Sequence, residues 1–207
     1  MTVLFTRHGE SLANTLRIVS NRDMPHPLTE KGIQQAEQLA VTLGDRTISK
    51  IYTSPISRAQ QTAQIVGEKL GCKVELADGL REYDCGDLEG KGDEETWRQH
   101  ASVINAWMNK QKFDVRSPGG ESFHDIERRF VPFIDMLRGR HDDSETVLLV
   151  GHGGTYRAML PVVCENLSFE FIQTAAMANT VVIETVWTPT GLVCLWWDGN
   201  SVAPLGG

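Results

Sequence analysis

The chain has 207 residues, 41% apolar and 23% charged, which suits one soluble globular domain with a substantial buried core. Its net charge of -7 excludes a general binder of nucleic acid or of anionic membranes, and no stretch approaches the roughly 20 apolar residues that span a bilayer. Cys72, Cys85, Cys164 and Cys194 form no CxxC pair, and Met1–Glu10 carries Arg7 behind its apolar run instead of a basic region ahead of it. Both features point to a reduced, cytoplasmic protein without structural zinc.

Along the chain, Thr2–Thr6 reads as a short buried strand. Leu28-Thr29-Glu30 opens a helix with Ile33, Ala36, Leu39, Ala40 and Leu43 on one face, closed by Gly44. Lys50–Thr53 is a second strand. Ser54-Pro55 reads as a helix start, a capping hydroxyl followed by proline, and that helix runs to Leu70 and stops at Gly71. Lys73–Leu76 is a weaker strand. Gly90–Phe113 reads as helical, with Trp97, Ile104 and Trp107, and forms a cap segment at 90–118. After the Ser117–Gly120 loop, a helix runs from Glu121 to Arg138 and contains Pro132. Thr146–Val150 is apolar throughout, as a strand buried on both faces must be. Thr155–Val163 is helical, Thr180–Trp187 and Leu192–Trp197 form a hairpin, and 200–207 is a loose tail. Strands alternating with helices predict an α/β fold with a mostly parallel sheet covered on both faces.

Four segments carry chemistry. Arg7-His8-Gly9 follows a buried strand, where ligands bind in an open α/β sheet, although a strand-end histidine beside a solvated arginine gives the same pattern. Gly151-His152-Gly153-Gly154 puts a second histidine at a strand end, leading into a helix whose first N–H groups favour an anion. It is no dinucleotide fingerprint, because the third glycine's place holds Tyr156. Arg58 lies near a helix N-terminus, where a cation is disfavoured unless an anion shares the site; the alternative is a solvated surface arginine. Leu80–Gly90 is an acidic, glycine-punctuated loop. Glu82 is a candidate proton donor there, since a carboxyl facing a phosphate dianion has its protonated form favoured, and nothing local separates it from Asp84, Asp87 or Glu89. His26, His100, His124 and His141 lack such a context and read as surface or structural.

Taken together, these segments resemble the histidine phosphatase superfamily, the phosphoglycerate-mutase-like family. The resemblance rests on Arg7-His8-Gly9-Glu10 with Asn14, Pro27–Gly32 with Gln35-Ala36, and Thr53-Ser54-Pro55 through Arg58-Ala59 with Thr62-Ala63. Leu80-Arg81-Glu82 with Gly86 and Glu89-Gly90, Pro118–Ser122, and Val150–Gly153 complete it, covering roughly residues 3 to 160 in order. It implies a three-layer α/β/α sandwich whose mixed sheet has one antiparallel strand. It also implies His8 as nucleophile, Glu82 as general acid and then base, and Arg7, Arg58 and His152 around the phosphate with Asn14, Ser20 and Gly153. No metal or cofactor is implied; the arginines take the place of a metal.

Two departures bear on function. Ser20-Asn21 stands where relatives carry Gln-Gly or Thr-Gly; Ser20 can still bond a phosphate oxygen, and Asn21 can adopt the left-handed conformation of glycine. The Gly90–Pro118 segment is short and lacks the paired arginines of the glycolytic mutases, which favours a phosphatase of a small phosphorylated metabolite over a mutase, and the presence of both His8 and Glu82 argues against a non-catalytic phospho-ligand module. Trp97, Arg98, Trp107, Lys110 and Lys112 are candidates for substrate choice, against the commoner alternative of apolar packing and solvated charge, and a homo-oligomer is compatible with the sequence.

Overall fold

The computed structural model describes residues 1–22 and 24–202. Strands β1 (Thr2–Arg7), β2 (Lys50–Thr53), β3 (Val74–Leu76), β4 (Thr146–Gly151), β5 (Val182–Trp187), β6 (Leu192–Trp197) and β7 (Asn200–Ser201) form one sheet, ordered β3-β2-β4-β1-β5-β6-β7. β1 to β4 pair in parallel, and each of β5, β6 and β7 is antiparallel to the strand before it in that order. β5 and the two-residue β7 therefore both oppose β1, a correction to the single antiparallel strand expected. β7 also corrects the reading of 200–207 as loose from its start, while 203–207 lie outside the described residues.

Among the described residues, seven α-helices accompany the sheet: α1 (Leu12–Leu16), α2 (Glu30–Leu43), α3 (Ser57–Leu70), α4 (Glu94–Lys110), α5 (Phe123–Arg140), α6 (Gly153–Val163) and α7 (Phe169–Thr174). The strand alternation of period two divides the core between the two sheet faces. Leu4, Ile51, Leu148 and Val150 pack with Leu39 and Leu43 of α2 and with Ala63 and Val66 of α3. Val3, Phe5, Val147 and Leu149 belong to the opposite cluster, with Phe130 and Ile134 of α5 and Tyr156 of α6. Burying each such Leu, Ile or Phe contributes about 1.5–3 kcal/mol, which is why the central residues Val3–Phe5 of β1 and Val147–Val150 of β4 are apolar throughout. The result is the three-layer α/β/α sandwich anticipated from the sequence.

Local chemistry sets the helix ends. The Thr29 hydroxyl accepts the Gly32 N–H at the start of α2, and Gly71, at φ 66°, ends α3 in the left-handed region open to glycine. Two expectations need correction. Ile33 is 43% exposed, because the buried stripe of α2 runs through Gly32, Ala36, Leu39, Ala40 and Leu43. Gly32 sets that rotation: a Cβ on it would lie 2.0 Å from the Glu10 carbonyl oxygen. Helix α3 begins at Ser57 with Ile56 as its cap, not at Ser54-Pro55. The Ser54 hydroxyl does accept the Ile56 N–H, but it also bonds the His152 ring and belongs to the site. The short helices α1 and α7 are not among the elements read from the sequence, although the Ser168 hydroxyl caps α7 by accepting the Phe171 N–H.

Candidate active site

Parallel pairing aligns the carboxyl ends of three neighbouring strands: Arg7 opposes Gly151, and Thr53 opposes Val150. The residues that follow, His8, Ser54 and His152, therefore leave the sheet at one edge. A cavity of about 550 Å³ opens there, and Arg7, His8, Asn14, Ser20, Arg58, Glu82 and Gly153 all line it. His152 lies just behind, fully buried, and reaches the cavity through Arg58.

The orientation of His8 is fixed. Its Nδ1 donates to the Gly9 carbonyl at 2.6 Å, so the other nitrogen, Nε2, keeps the lone pair and accepts from Arg58 Nε at 2.9 Å. Gly9 is required for this approach of chains: its N–H donates to the Thr62 hydroxyl, and a Cβ on it would stand 2.4 Å from the Gly32 carbonyl oxygen. Burial first, then the charges of Arg58 and Arg7, holds His8 well below the usual imidazole range, so the ring is neutral.

Arg58 spends all three nitrogens: Nε on His8, one terminal nitrogen on the Ser20 carbonyl at 2.6 Å, the other on His152 Nδ1 at 3.3 Å. Burial pushes its guanidinium down to about 10, which leaves it charged at neutral pH. Because His152 Nδ1 accepts from Arg58, its proton sits on Nε2, which donates to the Ser54 hydroxyl at 2.8 Å. Burial, followed by Arg58, also keeps His152 well below the ordinary imidazole value. Arg7 donates to the Met177 carbonyl at 2.7 Å, yet its buried Nε has no partner, an orphaned donor beside the cavity.

Glu82 is now separated from its neighbours. It alone of the loop acids lines the cavity; Asp84 pairs with Arg22, Glu89 accepts backbone N–H groups of Asn21 and Cys85, and Asp87 is exposed. The carboxylate accepts the N–H groups of Gly154 and Thr155 at 2.9 and 2.6 Å, and the Thr155 hydroxyl at 3.0 Å. The N-terminus of α6 thus holds Glu82, where the sequence suggested an external anion. Gly154 makes this possible, since a Cβ there would lie 2.8 Å from Glu82 Oε1 and 2.4 Å from the Tyr83 ring.

Asn14 uses its amide oxygen on the Ser11 N–H, and Ser20 pairs its hydroxyl with His26 Nδ1 at 2.8 Å. Asn21 does not adopt the left-handed conformation; its amide donates to the Tyr83 carbonyl and to Cys85 Sγ, which holds the loop without a positive φ. Of the substrate-choice candidates on the cap, only Trp97 lines the cavity. Trp107 is fully buried with its indole N–H on the Val115 carbonyl, Arg98 pairs with Glu95, and Lys110 and Lys112 face solvent. His100, read as surface or structural, lines the cavity too, as do Tyr83 and Arg157, which the sequence reading missed. The spacing of His100 from Trp97 and Ile104, three and four residues, was the available signal. Among the described residues, no three His, Cys, Asp or Glu side chains group to hold a metal ion.

This strand-end geometry sets two neutral histidines, bridged by a buried arginine, opposite a carboxylate in an α/β protein. The sequence matches the histidine phosphatase superfamily (branch 1) over residues 3–199, and the chain belongs to that family. It is 31% identical over 189 residues to a 2,3-bisphosphoglycerate-dependent phosphoglycerate mutase of Azorhizobium caulinodans, covering 86% of this chain and 87% of that protein. It is 32% identical over 159 residues to the "probable phosphoglycerate mutase" of Erwinia tasmaniensis, covering 74% and 70%. Among solved structures, Bacillus stearothermophilus YhfR superposes with TM-score 0.81 at 28% identity, over 96% of each chain. A mycobacterial glucosyl-3-phosphoglycerate phosphatase, determined with VO3, shares the fold at TM-score 0.82 and 24% identity, over 96% of this chain and 99% of that one.

Proposed function

We propose that the protein hydrolyses a small phosphate monoester through a phosphohistidine at His8, without a metal ion. One observation supports this most directly: Nδ1 of His8 is committed to the Gly9 carbonyl, so the lone pair of a neutral ring is carried by Nε2, inside the cavity and against Arg58. The incoming phosphate takes over donors of Arg58 and the orphaned Nε of Arg7, which meet the charge spread over its equatorial oxygens. Nε2 attacks phosphorus, the ester P–O bond breaks, and Glu82 gives a proton to the leaving oxygen. Water then attacks the phosphohistidine and returns a proton to Glu82, releasing orthophosphate and restoring His8.

A phosphoglycerate mutase would use the same intermediate but must hold a second acidic group. The cations lining this cavity are Arg7, Arg58 and Arg157, and Arg157 already donates to the carbonyls of Ile172 and Ala175. With Arg157 so committed, Arg7 and Arg58 are left for the phosphate itself, which favours water as the second acceptor. The test is brief incubation with a labelled ester in chelator, followed by an acid quench. Wild type should carry acid-labile, base-stable label and turn over without a bisphosphate primer, and His8→Ala should carry none. Label persisting in His8→Ala, activity lost in chelator and restored by zinc or magnesium, or turnover that depends on the primer would each overturn the corresponding part.

A further inference from the structure

The cavity has two chemically different walls. One holds Arg7, His8 and Arg58; the other is the inward face of α4, where Trp97, His100, Ile104 and Met108 follow one another at helical spacing. His100 is the single polar group in that apolar stripe. It also lies on the leaving-group side, because it is bonded to the residue next to Glu82: Tyr83 Oη and His100 Nε2 are 2.5 Å apart. The Tyr83 ring stacks on the His100 ring at 6.0 Å, and the Trp97 ring meets it edge-on at 5.4 Å. Trp97 is itself anchored by its indole N–H to the Arg17 carbonyl.

The protonation of this pair follows from burial. Tyr83 is pushed well above the ordinary phenol value, so it keeps its hydrogen. Burial lowers His100, against a smaller opposing effect of Glu82, so the ring is neutral. The phenol therefore donates to Nε2, and the imidazole hydrogen sits on Nδ1, which has no acceptor among the described residues. A donor locked between two aromatic rings and left unpaired at a cavity wall is preorganised for a ligand atom.

We infer that His100 Nδ1–H recognises the leaving group, and that the substrate's alcohol has an apolar, ring-sized body bearing a hydrogen-bond acceptor. This rests on the phosphoryl-transfer reading above. A cavity of about 550 Å³ leaves room for such a body beyond the phosphate. On the α4 wall a polyhydroxylated sugar would desolvate hydroxyls against Ile104 and Met108, which offer no hydrogen-bond partners, an unfavourable exchange.

Benzyl phosphate and the three pyridylmethyl phosphates have nearly the same shape and differ in one ring nitrogen. Their kcat/KM values, measured above neutral pH beside glucose 6-phosphate, test the inference. In wild type, at least one pyridylmethyl isomer should exceed benzyl by about tenfold, and glucose 6-phosphate should fall below benzyl by a similar factor. His100→Phe should bring the pyridylmethyl-to-benzyl ratio near one. Tyr83→Phe frees the His100 tautomer and should shrink the ratio without abolishing it; it carries the test if His100→Phe does not fold. Equal rates for the isosteres in wild type, a ratio unmoved by either variant, or a preference for glucose 6-phosphate would overturn the inference. Binding of the matching phosphonates, in which CH2 replaces the ester oxygen, separates the two readings. Discrimination in binding without any turnover would sink the hydrolase and leave the leaving-group site; binding without discrimination would sink the site.

Discussion

Arg58 Nε donates to His8 Nε2 at 2.9 Å, so the lone pair proposed to attack phosphorus is covered by the cation that a phosphate would recruit. The same guanidinium holds the Ser20 carbonyl and His152. Binding an anion must exchange these contacts, which ties occupancy of the site to exposure of the nucleophile.

Arg58 therefore does two jobs that lysine cannot combine. An ammonium lacks the planar fork that reaches His8, Ser20 and His152 at once. Arg58→Ala should slow phosphoenzyme formation by about 10²-fold or more, and Arg58→Lys should be badly impaired but less so. Rapid-quench rates matching wild type in the Lys variant would reduce Arg58 to an electrostatic bystander.

Glu82 should matter most when the leaving group needs a proton. Glu82→Gln should lose on the order of 10²-fold in the presteady-state burst with an alkyl phosphate, and distinctly less with p-nitrophenyl phosphate, whose phenolate departs unaided. The burst is the required measurement, because the same carboxylate serves dephosphorylation and steady-state rates would hide the contrast. Equal burst losses for both esters would remove it from the acid role.

Gly154 predicts a coupled defect. The methyl of Gly154→Ala would stand 2.4 Å from the Tyr83 ring and 2.8 Å from Glu82 Oε1, so one or both must move. A destabilisation of about 1–3 kcal/mol in denaturant melts, with a loss of kcat, is expected. A variant with wild-type melting and wild-type turnover would show that α6 does not fix Glu82.

Stability should fall on acidification. Burial, and then Arg58, holds both His8 and His152 well below 6.5 in the folded state, whereas the unfolded chain protonates them near that value. Below pH 6.5 the unfolded state therefore binds more protons, and stability declines by up to about 1.4 kcal/mol per pH unit for each ring. Melting temperatures should drop between pH 6.5 and about pH 5, and His152→Asn should flatten that slope. An unaltered slope in the variant would mean that His152 is protonated when folded.

Much of this was legible in the sequence, because it is written in short-range patterns. Apolar runs of strand length marked β1, β2 and β4, and β2 carries the predicted limits of Lys50–Thr53. Thr29, Gly44 and Gly71 bounded α2 and α3 where capping chemistry placed them, and the His-Gly steps after Arg7 and Gly151 marked the strand ends that meet. An arginine near a helix N-terminus left both an anion-sharing site and a solvated surface residue open, and Arg58 is buried.

What the sequence could not carry was decided by contacts between distant residues. Glu82, Asp84, Asp87 and Glu89 are equivalent by local pattern, and only the N–H groups of Gly154 and Thr155, some seventy positions away, single out Glu82. The His8 tautomer depends on a backbone turn, and that of His152 on Arg58 and Ser54. His100 reads as a surface or structural histidine until Tyr83 and Trp97 close around it at the cavity wall. Local propensity and capping act within a few residues and so survive in a one-dimensional string. A hydrogen bond across the cavity exists only after the sheet has brought its strand ends together, and its free energy has no trace in the spacing of the residues that make it.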